Sequence, residues 1–284
     1  MTPARSIDLS TSARRTSLAA LLAQPGPLVM GVLNVTPDSF SDGGRYLDAR
    51  AATTQAKNMI AAGAAIIDVG AESTRPYQGM QPVGAADEMA RLAPVLADLV
   101  TLGTAISIDT MKAEVARAAL DAGVAMLNDV WGLQRDAGMA RLAAEHGVPV
   151  VVMHNRETVD PEIDIMEDIA AFFERSLAIA AGAGIAKSSL ILDPGIGFGK
   201  TAAQSMVALA RLAELSVFGC PLLVGASRKR FIASVSPSEP LGRLGGSIAA
   251  HLIAAGHGAK IIRAHDVAET VQALKVAGAI EASR

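Results

Sequence analysis

Cysteine is almost absent. Cys220 is the single thiol in 284 residues, so no disulfide can form within the chain, which points to a reducing compartment, the cytoplasm. Aromatic residues are scarce at 3%, which withholds the stacking platforms that single-stranded nucleic acids use and leaves Ala, Val, Leu and Ile to build the core. An excess of one charge is lacking too: 25 Lys plus Arg stand against 28 Asp plus Glu, a formal −3 that offers nothing to a phosphate backbone. Gly, Asp or Arg interrupts the apolar runs every few residues, so none approaches the ~20 residues of a membrane span. Cys220, beside Pro221 at the mouth of one such run, reads as a small buried hydrophobe.

Other absences narrow the chemistry. His146, His154, His251, His257 and His265 show no paired ligand spacing, which argues against zinc. No G-x-S-x-G elbow is present, so covalent acyl chemistry lacks support. The run DPGIGFGKT at 193–201 is glycine-rich but lacks Walker A spacing, which excludes a nucleoside triphosphatase. Its glycines instead let the backbone pass close to a flat ligand, with Phe198 displayed at the rim.

What the chain does have is a repeated unit. Eight short apolar runs, at 28–33, 65–69, 105–108, 125–127, 149–152, 189–192, 222–225 and 260–262, each end in a polar cluster. Near-continuous apolarity suits parallel strands buried on both faces. Helical segments separate them, at 48–62, 85–101, 111–122, 136–146, 164–183, 203–216 and 244–257, and a last one follows at 267–281. Gly63, Gly123 and Gly147 stand where left-handed helix ends are expected. The predicted fold is a single α/β domain, a (β/α)8 TIM barrel over 27–284, close to the roughly 250 residues usual for that fold. Residues 1–26 form a short N-terminal extension, in which Arg5, Arg14 and Arg15 precede the apolar stretch 18–23. That order is shared with signal peptides, but a tail leading into a helix packed on the closed end of the barrel is the preferred reading. The loops 36–46 and 73–84 carry Gly and Pro without helical period and are expected to act as lids.

The polar ends hold nearly all the reactive groups. Asp109, Asn128 and Asp193 close the third, fourth and sixth strands and Lys229 follows the seventh, so closure aims all four at one axial pocket. Carboxylates accept paired N–H groups, and a carboxamide both donates and accepts; together they suit a 2-aminopyrimidinone ring. Any one of them alone would be an N-cap or turn residue, and their convergence is what points to a ligand. A second group seeks anions: Asn34, Thr74, Arg75, Arg263 and His265. Arginine forks match phosphate oxygens, and the Asn34 carboxamide oxygen suits a hard divalent ion.

The strings GVLNVTPDSFSDGG, IIDVGAESTRP, ISIDT, LNDV, VVMH, ILDPGIGFGK, GASRKR and RAHD, one per strand end, together resemble the dihydropteroate synthase family of pterin-binding enzymes over roughly 28–270. The resemblance implies that 4-aminobenzoate displaces pyrophosphate from (7,8-dihydropterin-6-yl)methyl diphosphate, giving 7,8-dihydropteroate. It implies that Asp109, Asn128, Asp193 and Lys229 hold the pterin; that Asn34 binds Mg2+; that Thr74, Arg75, Arg263 and His265 hold the diphosphate with Asn34; and that Phe40, Pro76, Phe198 and Ser227 line the aminobenzoate pocket. The catalytic set it implies is Asp109, Arg75, Lys229, Arg263 and His265. It further implies a homodimer with small-molecule substrates, inhibited by sulfonamides, with no nucleic-acid or membrane partner. Ala71, the segment 77–80 and Arg230 depart from the commonest family pattern. A pterin-dependent methyltransferase, whose substrate has no diphosphate, and a non-catalytic pterin-binding protein are the alternatives. Retention of Thr74, Arg75, Arg263 and His265 weighs against both.

Overall fold

The computed structural model describes residues 20, 22–35, 44–72 and 83–283. Eight strands, β1 Leu28–Asn34, β2 Ile66–Gly70, β3 Ala105–Asp109, β4 Met126–Asp129, β5 Val150–Met153, β6 Leu190–Asp193, β7 Leu222–Val224 and β8 Ala259–Ala264, lie side by side in sequence order as a closed barrel. All pairings are parallel, and β1 closes on β8 at Leu28 opposite Ile261. Several strands run past the apolar stretch, by one residue to Asp109 and Asp193 and by two to Asp129, because ladder hydrogen bonds use the backbone whatever the side chain.

Alternation along the strands sorts side chains into two compartments. Val29, Ile67, Ile106, Val150 and Leu192 face outward and join the main core with the helices. Leu28, Met30, Ile66, Ala105, Met126, Val151, Ile191, Leu223 and Ile261 face inward and form a separate apolar plug. Residues two or four positions further along therefore stand in the bore above it: Asn34, Asp68, Asp109, Asn128, Asp193 and Arg263. Leu22 packs on the plug, and Lys260 Nζ donates to the Gly26 carbonyl at 2.7 Å and to that of Gln24, so the residues just before β1 lie on the closed end; residues 1–19 and 21 of the expected extension lie outside the described residues.

Among the described residues the helices are α1 Gly44–Ala61, α2 Ala85–Leu99, α3 Ala113–Asp121, α4 Ala137–His146, α5 Ile165–Gly182, α6 Ala202–Ala210, α7 Arg230–Val235, α8 Leu244–Gly256 and α9 Val267–Glu281. Local chemistry starts and stops them. Asp136 caps α4, Asp164 caps α5, and Thr201 with Gln204 forms a capping box on α6. Gly63, Gly123 and Gly147 adopt φ of 102°, 106° and 56° at the expected helix ends.

Beyond shifts of a residue or two, three departures from the sequence expectation stand out. α1 begins at Gly44, so the last residues of the loop expected at 36–46 are helical. The helix expected over 203–216 stops at Ala210, where Arg211 leaves helical geometry, and a 3-10 turn Leu212–Phe218 continues it; Arg211 clamps Glu214 across the junction with two 2.8 Å bonds. α7 was not expected, since six residues are too few to display a helical period. It docks through Ile232, whose Cγ2 would lie 2.3 Å from a Cβ at Gly246. No described helix is long and apolar enough to cross a membrane.

Candidate active site

The mouth of the bore is organised by one arginine. Arg263, carried inward by β8, donates from Nε to Asp68 Oδ2 at 2.7 Å and from its terminal nitrogen to Asp109 Oδ2 at 2.7 Å. Asp68 Oδ2 also accepts from Asn128 Nδ2 at 2.9 Å. Four strands, β2, β3, β4 and β8, thus meet in one charged network, and Asp109 lies directly opposite Asn128 in the β3–β4 register. Asp68 Oδ1, Asp109 Oδ1 and Ser107 Oγ are buried and find no partner among the described residues. Each such atom costs roughly 1–3 kcal/mol unless something else satisfies it, so acceptors directed into a bore point to a ligand that donates.

Burial drives the electrostatics. It pushes the Asp109 carboxyl up to about 7 against the pull of Arg263, with Asp68, Glu88 and Asp129 adding in the same direction as burial. Asp193 is also raised by burial, opposed by Lys229, by the Gly195 N–H at 2.7 Å, and by Arg263 and Lys200. Burial lowers Arg263, but Asp68 and Asp109 outweigh it and hold the guanidinium above its ordinary value.

The remaining predicted residues border this network. Lys229 sits just before α7, donates to the Ile196 carbonyl, and places its Nζ 4.5 Å from the centre of the half-exposed Phe198 ring. Ser227 Oγ lies 3.0 Å from His265 Nδ1 and accepts from the His265 N–H at 3.2 Å, so one residue expected at aminobenzoate touches one expected at diphosphate. Asn34 is half-buried at the end of β1, in line with Gly70 of β2 and Asp109 of β3. Arg263, expected beside the diphosphate, touches Asp109 of the expected pterin group, so the two groups adjoin. Phe40, Thr74, Arg75 and Pro76 lie outside the described residues, as does the segment 77–80. Ala71 is buried and its carbonyl accepts from Arg91 at 2.8 Å; Arg230 is exposed.

Asp68 was not singled out from the sequence. The signal was available: a carboxylate inside the apolar strand IIDVG, on the same face as Asp109 once β2 and β3 are paired. Lys200 and His154 were likewise left without a role, because their contact joins two separate strand ends.

Fold and site together define a barrel enzyme of the pterin-binding class, and the model of the pterin binding enzyme family matches residues 30–265. The dihydropteroate synthase of Bacillus subtilis is 43% identical over 271 residues, 95% of this chain and 94% of that one. A solved structure of Xanthomonas albilineans dihydropteroate synthase with 4-aminobenzoic acid matches with a TM-score of 0.87 and 43% identity, covering 91% of this chain and 94% of that one. The chain is also 47% identical, over 258 residues and 89% of its length, to a probable bifunctional folylpolyglutamate synthase/dihydropteroate synthase of Haloferax volcanii, of which it spans 30%. The chain belongs to the dihydropteroate synthase family.

Proposed function

We propose that this protein is a transferase that joins 4-aminobenzoate to (7,8-dihydropterin-6-yl)methyl diphosphate, forming 7,8-dihydropteroate and pyrophosphate. The observation that carries this reading is the buried cluster of acceptors in the bore, with Asp68 Oδ1 and Asp109 Oδ1 finding no partner among the described residues, beside Asn128. A 2-aminopyrimidinone edge supplies N–H donors to such acceptors, and Asn128, Asp193 and Lys229 complete its outline. The X. albilineans relative, solved with 4-aminobenzoic acid, supports the second substrate.

The aminobenzoate nitrogen attacks the exocyclic methylene carbon; the new C–N bond forms as the C–O bond breaks, and the electron pair leaves with the diphosphate. The nitrogen then loses a proton to solvent, so no strong base is needed. Arg263, with Arg75, Thr74 and His265, binds the departing charge, where donors aimed at developing negative charge act most strongly. Phe40, Pro76, Phe198 and Ser227 line the aminobenzoate side. When the C–O bond breaks first, the methylene carries positive charge, and Asp109 is the carboxylate that stabilises it.

Magnesium takes few protein ligands and keeps water and substrate phosphate around it. Asn34, a half-buried carboxamide on the bore side of β1, fits that requirement and would hold the ion next to the diphosphate. When bound, Mg2+ supplies further neutralisation of the leaving group. The cytoplasm suits a chain whose one thiol is buried. A homodimer suits the exposed apolar residues Leu244, Ile253, Val276 and Ile280 on the neighbouring helices α8 and α9, and sedimentation at micromolar concentration tests it.

Pyrophosphate release by the purified protein, dependent on both aminobenzoate and magnesium and competitively blocked by a sulfonamide, tests the reaction; no release from folded protein defeats it. Asp109→Asn is expected to lower kcat by about 10²–10³ with a much smaller change in pterin affinity, and equal losses in both would remove its role toward the cation.

A further inference from the structure

Beside the pterin pocket lies a buried chain of charges that the reaction above does not use. Lys200 Nζ stands 2.6 Å from His154 Nδ1, 2.9 Å from the Gly195 carbonyl and 3.1 Å from that of Phe198. Three acceptors surround the amine, and only the ammonium carries three protons to give them. His154, fully buried, meets Asp168 Oδ2 through Nε2 at 2.9 Å, and Asp168 Oδ1 accepts from Arg156 at 2.8 Å. A proton on Nε2 shared with Asp168 leaves Nδ1 as the acceptor that Lys200 needs.

The same contacts join two strand ends that touch backbone to backbone. At Gly195, with φ of 64°, a Cβ would lie 1.9 Å from the His154 carbonyl oxygen; at Gly199, with φ of 56°, it would lie 2.4 Å from Arg156 Cβ. The turn 195–199 therefore rests directly on 154–156. From that turn Gly195 donates to Asp193 Oδ1 at 2.7 Å, Ile196 offers its carbonyl to Lys229, and Phe198 lies beneath the Lys229 ammonium.

We propose that Lys200 is a positioning residue: held by His154 and Asp168, its ammonium fixes the 195–198 turn and thereby places Asp193, Lys229 and Phe198 for the pterin and its attacking partner. This rests on the proposed function. Burial pushes Lys200 down to about 7, with Lys229 and Arg156 adding to the effect and Asp193 and Asp168 opposing it. Burial and the Lys200 charge push His154 down to about 3, so it stays neutral and accepts. Above neutrality Lys200 retains two N–H groups for three acceptors, and the turn loosens.

Steady-state kinetics of Lys200→Met against wild type tests this across pH. The KM for the pterin diphosphate is expected to rise by about tenfold, as for loss of charged hydrogen bonds, with kcat changed far less. The decline of kcat/KM above pH 7 in wild type should vanish in the variant. A folded Lys200→Met enzyme with unchanged pterin KM, or one that keeps the basic decline, overturns the proposal. Should that variant not fold, Asp168→Asn, at the partly exposed start of α5, should raise the pterin KM by about threefold, and an unchanged KM there overturns it equally. Wild-type protein that forms no dihydropteroate defeats the proposed function instead.

Discussion

The two ends of the barrel bore are built from the same strands on the same face, yet their chemistry is opposite. At the closed end Met30, Ile66, Met126 and Leu223 fill the space and leave nothing polar to satisfy. Two residues further along β2 and β4, the bore holds Asp68 and Asn128, with Asp109 four residues beyond Ala105 on β3. Close packing at the base stabilises the barrel, whereas the mouth sets three carboxylates, Asp68, Asp109 and Asp193, within reach of the cations Arg263 and Lys229. Stability and activity should therefore respond separately to changes at the two ends.

Arg263→Met should break that division most strongly. It leaves the Asp68 and Asp109 carboxylates buried together, which is expected to cost about 3–5 kcal/mol in urea unfolding and to abolish most activity. A variant within 1 kcal/mol of wild type, by the same measure, would show that Arg263 does not hold the network together. At the base, Ile66→Ala should cost about 2–5 kcal/mol of stability while kcat and KM of the folded fraction stay near wild type. A fall in kcat without loss of stability would dissolve the contrast between the ends.

The pH response sharpens it. Asp109 and Asp193 are both raised, so kcat/KM should climb as they ionise, with the Asp109 limb near pH 7. For stability the sign is reversed. A carboxyl raised from about 3.9 in the unfolded chain binds more protons when folded, so its contribution is full below that value and is lost as pH rises towards 7. Asp109→Asn should accordingly gain on wild type in thermal midpoint between pH 4 and pH 7, and parallel midpoint curves would contradict the raised carboxyl. The smallest effect belongs to the surface: the pair Arg117–Glu145, 3.2 Å apart and about half exposed, should contribute at most about 1 kcal/mol when Arg117→Ala is measured by unfolding.

Most of the fold was legible because each strand is an apolar run and several helices carry a recognisable capping side chain or a left-handed glycine at their end. Asp109, Asn128, Asp193, Lys229 and Arg263 were legible as reactive strand ends, and the network joining Asp109, Asn128 and Arg263 is what closure of β3, β4 and β8 produces. Asp68 was not, since a polar residue within a strand has no partner until β2 is paired with β3 and Arg263 arrives from 195 residues away. Lys200 was taken with its glycine-rich turn for the same reason: the histidine that accepts its hydrogen bond lies 46 residues earlier. α7 escaped because six residues carry no periodic signal.

The amino-acid order by itself determined the period of the barrel, the caps of its helices and the reactive character of its strand ends, because these depend on alternation and on neighbours a few residues apart. Tertiary structure alone decided which charges meet. Arg263 bridging Asp68 and Asp109, and Lys200 leaning on His154, are contacts between residues far apart in the sequence, where burial makes pairing decisive and no local pattern records the partner.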